Sequence, residues 1–174
     1  MIRLNSILEC EGTIVEIDEY VPLIVRFGSS RDSLPLYWRA GNGKTSLLEI
    51  GLNRYTGQII NVTVVAAGSV KMEGWKARVD GFILDVGIPA FKLERWGAGG
   101  SYSDNYIDDF SVEFELVVGV DEACILLGKR QDIDRVVENG CVSFGFSSSG
   151  ELLSILISCL RPNEVALLES HFFP

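Results

Sequence analysis

Histidine is all but missing from this chain of 174 residues, His171 being the only one. Clustered imidazoles therefore cannot hold a metal, and any Ser-His-Asp or Cys-His relay would rest on that single ring, for which a surface or capping role is expected. No apolar stretch reaches the roughly 20 residues of a membrane-spanning helix. The four cysteines, Cys10, Cys124, Cys141 and Cys159, show no CxxC spacing. Reduced thiols are expected, the last three within apolar strand-like runs. The opening segment Met1–Cys10 has neither a continuous apolar stretch nor a small-residue cleavage site, so a cytoplasmic protein is expected. Lysine and arginine are absent between Arg95 and Lys129, although Asp104, Asp108, Asp109, Glu113, Glu115, Asp121 and Glu122 fall there. The net charge is −9, and residues 88–174 hold fourteen acids against six bases. Such a field repels nucleic acid and membrane surfaces and speeds encounter with basic proteins.

What is present is alternation. Residues 12–18, 21–27, 34–39, 46–52, 58–66, 82–86, 90–96, 110–118, 122–127, 141–147 and 151–160 read as strands, rich in β-branched and aromatic side chains and punctuated by Gly, Asn, Asp and Ser. Pro22 and Pro35 lie inside such runs and place those two strands at sheet borders. A C-terminal helix is predicted from Pro162, with Val165 and Leu168 on one face, and a second over 129–139 with Gly140 as its cap. One pattern occurs twice. Leu48-Glu49-Ile50-Gly51-Leu52, a turn ending in Gly57, then Gln58-Ile59-Ile60-Asn61-Val62 matches Val142-Ser143-Phe144-Gly145-Phe146, a turn ending in Gly150, then Glu151-Leu152-Leu153-Ser154-Ile155. Each reads as a hairpin closed by a left-handed glycine. Strands 21–27 and 34–38 precede the first, and 110–118 and 123–127 stand in the same relation to the second. The expected fold is mainly β (α+β): antiparallel sheets from two strand-strand-hairpin halves, with one or two short helices. It is read as one domain, or as similar halves 1–96 and 108–174 joined by a Gly/Ser-rich loop.

Motifs that carry chemistry are few. Gly41-Asn42-Gly43-Lys44-Thr45 suggests a phosphate-binding loop, but the position five before Gly43 is Trp38 and a strand follows, so a tight turn is expected. Asp108-Asp109, and Glu113 with Glu115 on one face of a 110–118 strand, supply paired carboxylates that could serve glycoside hydrolysis or a hard cation. No EF-hand spacing accompanies them, and a partner-facing acidic surface explains the same residues. Trp38 and Trp96 suit a core as well as a surface. Tyr102 and Tyr106 flank the acidic loop, and rigid aromatics beside charge are enriched at interface centres.

The hairpin with Phe144-Gly145-Phe146 and Gly150-Glu151-Leu152-Leu153 resembles those of small immunity proteins from bacterial contact-dependent and other polymorphic toxin systems. That resemblance implies a cytoplasmic, non-enzymatic protein that blocks a cognate toxin domain, often a nuclease, by covering a basic active site. The partner-binding residues expected are Tyr102, Asp104, Tyr106, Asp108, Asp109, Glu113 and Glu115, with no metal, cofactor, nucleic acid or membrane involved. Two other classes fit the residues: a ligand-binding or structural β-module, monomeric or homodimeric, and a carboxylate-dependent enzyme.

Overall fold

The computed structural model describes residues 1–18, 20–28, 34–73, 82–97, 102–158 and 160–172, Tyr102 by its backbone alone. In chain order the strands are β1 (Leu4–Leu8), β2 (Thr13–Glu16), β3 (Leu23–Phe27), β4 (Leu36–Gly41), β5 (Leu47–Leu52), β6 (Ile59–Ala66), β7 (Val70–Met72) and β8 (Ile83–Val86). There follow β9 (Ile88–Phe91), β10 (Tyr106–Asp109), β11 (Glu115–Val118), β12 (Ala123–Leu126), β13 (Arg135–Asn139), β14 (Val142–Phe146) and β15 (Leu152–Ile157). Helix α1 (Pro162–Phe172) comes last, and single 3-10 turns lie at Tyr102–Asn105 and Arg130–Asp132. The fold is mainly β, as the alternation predicts.

Sheet 1 runs β10-β4-β5-β6-β3-β2, and sheet 2, taken from its β8 edge, runs β8-β13-β14-β15-β12-β11-β7. The first six places of the two orders correspond. In each sheet five strands consecutive in sequence pair antiparallel, and a sixth, β10 or β8, joins the edge in parallel. The likeness reaches single residues. Gly51 faces Asn61 and Gly145 faces Ser154, and in both hairpins the register slips one residue later. A Cβ on Gly51 would sit 2.1 Å from Asn61 Oδ1, and one on Gly145 2.3 Å from Ser154 Oγ, so a side chain at either place would have to displace its neighbour on the facing strand.

Strand alternation turns Leu23, Val25 and Phe27 of β3, Trp38 of β4 and Leu48, Ile50 and Leu52 of β5 inward against Val142, Phe144 and Phe146 of β14. The Phe27 and Phe144 rings meet across the sheets at 5.7 Å. Each such side chain contributes about 1.5–3 kcal/mol by leaving water. The open ends of this sandwich are covered differently. A two-stranded β1-β9 ribbon lies on both hairpin turns, Phe91 donating its N–H to the Gly57 carbonyl and Leu4 to that of Gly150. At the other end α1 buries Val165 and Leu168. Leu160 donates to the Asp121 carbonyl in the β11–β12 turn, and the His171 ring meets the Asp18 carbonyl in the matching β2–β3 turn.

Several expectations are corrected. Pro22 and Pro35 do not mark sheet borders: β3 and β4 are interior strands, and each proline stands just before the first paired residue, where its missing N–H is not needed. Residues 129–139 are not a helix. A 3-10 turn leads into β13, held on both sides by β14 and β8, and Gly140 (φ 61°) opens a two-residue hairpin turn instead of capping a helix. Strand β13 is therefore the counterpart of β4, β12 of β3, and β11 of β2, one strand along from the sequence correspondence. Residues 110–114 precede β11 in place of extending it, and the expected 90–96 strand ends at Phe91. Cys141 is disulfide-bonded, against the expectation of four reduced thiols. Cys10 and Cys124 are free, burial pushing the Cys124 thiol well above its usual range, and Cys159 lies outside the described residues.

Candidate protein-binding surface

Strand β10 pairs with β4 as Tyr106↔Tyr37, Ile107↔Trp38, Asp108↔Arg39 and Asp109↔Ala40. Because Trp38 and Ala40 are buried, period-two alternation sends Ile107 and Asp109 inward and Tyr106 and Asp108 to the solvent face of sheet 1. The adjacent aspartates thus lie on opposite faces and do not form a carboxylate pair.

On the solvent face Tyr106 stacks on Tyr37, ring centroids 5.2 Å apart and planes 12° from parallel. The Arg39 guanidinium lies 4.0 Å from the centre of the Tyr106 ring, its Nε donates to Glu49 at 2.9 Å, and its Nη1 stands 3.8 Å from Asp108. An exposed cation–π contact is worth about 0.5–1 kcal/mol. Its larger effect here is to hold Arg39, Tyr106 and Tyr37 in one arrangement before any partner arrives.

Asp109 serves the interior. Its Oδ2 accepts from Trp38 Nε1 at 2.6 Å, Arg95 Nη1 at 2.5 Å and the Met1 ammonium at 3.0 Å, while Oδ1 accepts from Arg95 Nη2 at 2.6 Å. The Arg95 guanidinium holds this carboxyl well below the usual carboxylate range, partial burial pushes the other way, and the indole N–H and ammonium add to the lowering. Trp96 is also a core residue, its indole N–H reaching the Asn105 carbonyl at 3.2 Å. Arg54 binds the Asn105 side chain at 2.7 Å, so the 3-10 turn that precedes β10 is fixed from two sides.

No protein family model matches the chain, and no curated protein matches it in sequence. The site therefore stands on its own geometry. Of the seven residues expected from sequence, Tyr106 and Asp108 share the solvent face, and Asp104 and Glu113 are exposed on the segments flanking β10. Tyr102 lies in the 3-10 turn, its side chain outside the described residues. Glu115 begins β11 and is engaged by Lys71 Nζ at 2.9 Å and Ser69 Oγ at 3.1 Å. It shares no strand with Glu113. Tyr37, Arg39 and Glu49 were not anticipated, although alternation in Leu36–Gly41 already turns Tyr37 and Arg39 away from the Trp38 face.

Elsewhere the chemistry is sparse. Among the described residues no three His, Cys, Asp or Glu side chains converge as metal ligands. The Gly41–Thr45 segment is a tight turn, with Asn42 Oδ1 accepting the N–H groups of Lys44, Thr45 and Ser46 at 2.9–3.0 Å. A shallow depression of about 350 Å³ beside the ribbon is lined by Met1, Ile2, Arg3, Lys92, Glu94, Arg95 and Glu151, charges of both signs. No helix of the described residues is long and apolar enough to cross a membrane.

Proposed function

We propose that this protein is a non-enzymatic, acidic binding protein that neutralises a basic partner, in the manner of a bacterial immunity protein covering the active site of its cognate toxin domain. The observation that carries this reading is the solvent face of β10. Tyr106 and Asp108 are presented there on a rigid strand, locked by Tyr37 and Arg39, and flanked by exposed Asp104 and Glu113. Aromatic anchors already ordered in the free protein lose little conformational entropy on binding, and the charge excess steers a cationic surface into contact. Asp109 and Glu115 are engaged within the fold by Arg95 and Lys71, so the test is placed on the other acids of the stretch. A nuclease is a suitable target, since a groove that holds phosphates is basic; a standard interface would bury about 1,600 Å² in total.

We place this activity in the cytoplasm; the observation that weighs the other way is the Cys141 disulfide, since such bonds persist mainly in oxidising compartments. Thiol trapping in intact cells decides between them. The function is tested by Asp104→Lys/Asp108→Lys/Glu113→Lys. Tagged wild-type protein should capture one basic protein in equal proportion from its native lysate, and the variant, folded normally, should bind that protein at least about tenfold more weakly, mostly through slower association. Unchanged affinity would assign the acids to solubility and favour a self-contained β-module.

A further inference from the structure

We propose a second docking surface: the outer edge of β8, where an extended basic segment of a partner protein adds to sheet 2 as an eighth strand. Strand β8 occupies in sheet 2 the place that β10 occupies in sheet 1, and no described strand pairs with its outer side. Ile83 donates its N–H to the Asp134 carbonyl at 2.8 Å and Gly87 to that of Glu138 at 2.9 Å. In a parallel ladder alternate residues spend both backbone groups on the same neighbour, so those of Leu84 and Val86 point away from β13.

Natural proteins guard such an edge with lysine, proline, a bulge or a charge. Here Ile83, Leu84 and Val86 are 51%, 55% and 73% exposed. The one charge on the strand, Asp85, faces Arg135 of β13 at 3.4 Å and leaves the edge unguarded. Leu84 and Val86 form with Val136, the partner of Leu84, a small apolar strip that the alternate side chains of an added strand would cover, with Glu138 at its border beside Val86.

Charge selects the occupant. Arg135 is engaged by Asp85, while Asp134, whose carbonyl receives the Ile83 N–H, and Glu138, opposite Val86, border the strip, and no described cation pairs with either carboxylate. A second copy of a chain with net charge −9 would bring the same acids against their own images. A lysine- or arginine-bearing strand is complementary. This surface is independent of the β10 face: β8 and β13 lie on the side of the sandwich where Asn139 Nδ2 meets Thr13 Oγ1 of β2, at the far edge of sheet 1 from β10.

The probe is a fluorescent peptide of about eight alternating lysines and valines, the length of a long strand, added to the intact protein. It should bind, and amide hydrogen exchange at Leu84 and Val86 should slow by about tenfold or more, as for newly paired edge groups. Leu84→Lys/Val86→Lys should weaken binding by about tenfold through charge repulsion. The same peptide N-methylated at alternate residues should not bind, which tests the ladder without altering the protein. Absence of binding, equal binding of the N-methylated peptide, or binding that leaves Leu84 and Val86 exchange unchanged would overturn the proposal. Protection of these amides that grows with protein concentration alone would also overturn it, by making a second copy the occupant.

Discussion

Replacing Asp109 by alanine should destabilise the protein far more than the same change at Asp108, although the two are neighbours in an acidic stretch. Without Asp109 the indole N–H of fully buried Trp38 has no acceptor, which costs about 1–3 kcal/mol. Arg95 also loses its two-oxygen partner, but its side chain is 41% exposed, so this adds only about 0–1 kcal/mol. The expected total of about 1–4 kcal/mol corresponds to a fall in melting temperature of roughly 2–16 °C for a chain of this size. Asp108, 3.8 Å from Arg39 and well exposed, should cost less than about 0.5 kcal/mol. Denaturant unfolding followed by circular dichroism measures both. In a cycle with Trp38→Phe, which removes the indole N–H, the coupling to Asp109 should be about 1–2 kcal/mol. Equal costs for the two aspartates, or no coupling to Trp38, would refute the inward assignment of Asp109. The pH dependence carries a sign. The folded carboxyl titrates below its unfolded value, so its stabilisation is complete above that value and is lost as pH falls from about 4 toward the folded one. Asp109→Asn should therefore show a shallower acid decline than the wild type.

The two hairpin bulges can be tested together. Gly51→Ala and Gly145→Ala should each cost about 1–3 kcal/mol through overpacking, and Asn61→Ala and Ser154→Ala respectively should restore part of that stability in thermal melts. At the turns, Gly57 and Gly150 share a left-handed φ, of 73° and 79°. A Cβ on Gly57 would stand 2.1 Å from the Phe91 carbonyl oxygen, whereas one on Gly150 meets nothing nearer than 3.7 Å. Gly150→Ala should cost about 1–2 kcal/mol for conformation alone, and Gly57→Ala measurably more in the same denaturant assay. A chain cut after residue 96 should lack a cooperative transition by circular dichroism, because it loses β10 and, with Asp109, the acceptor for Trp38.

Both repeated hairpins and most strands were legible from their period of two, whereas β1, β7 and β10 are not among the strands that alternation predicts, β10 beginning inside the segment expected to be the Gly/Ser-rich loop. Val142-Ser143-Phe144-Gly145-Phe146 alternates, and its turn glycine has the left-handed φ that the spacing implied. Strand β13 was not legible: Ile133, Val136 and Val137 suit a helical face, and only pairing on both sides by distant β14 and β8 makes the segment extended. Tertiary pairing likewise divided the acidic stretch. The local sequence around Asp108-Asp109 holds no sign of which aspartate faces Trp38, since that depends on the parallel register with a strand about seventy residues earlier. The solvent-facing Tyr37 and Arg39 could have been read from their alternation with Trp38, but their partner Tyr106 could not.

Strand exchange between the two sequence halves links the fold to the proposed surfaces. The five-strand units β2–β6 and β11–β15 would each, alone, expose the outer edge of β4 or β13. Strand β10, from the segment preceding the second unit, covers β4, and β8, from the segment following the first, covers β13. Covering one edge creates another one strand further out, so the linking segments set what the protein presents at these borders. The side chains supplied differ: Tyr106 and Asp108 on β10, against Leu84 and Val86 at the corresponding places of β8. Strands from the two flanks thus give one topology two unlike edges, one suited to a charged surface and the other to an extended chain. A substitution on β10 should therefore alter charge-steered association, while one on β8 should alter backbone pairing, with the common core unchanged in both.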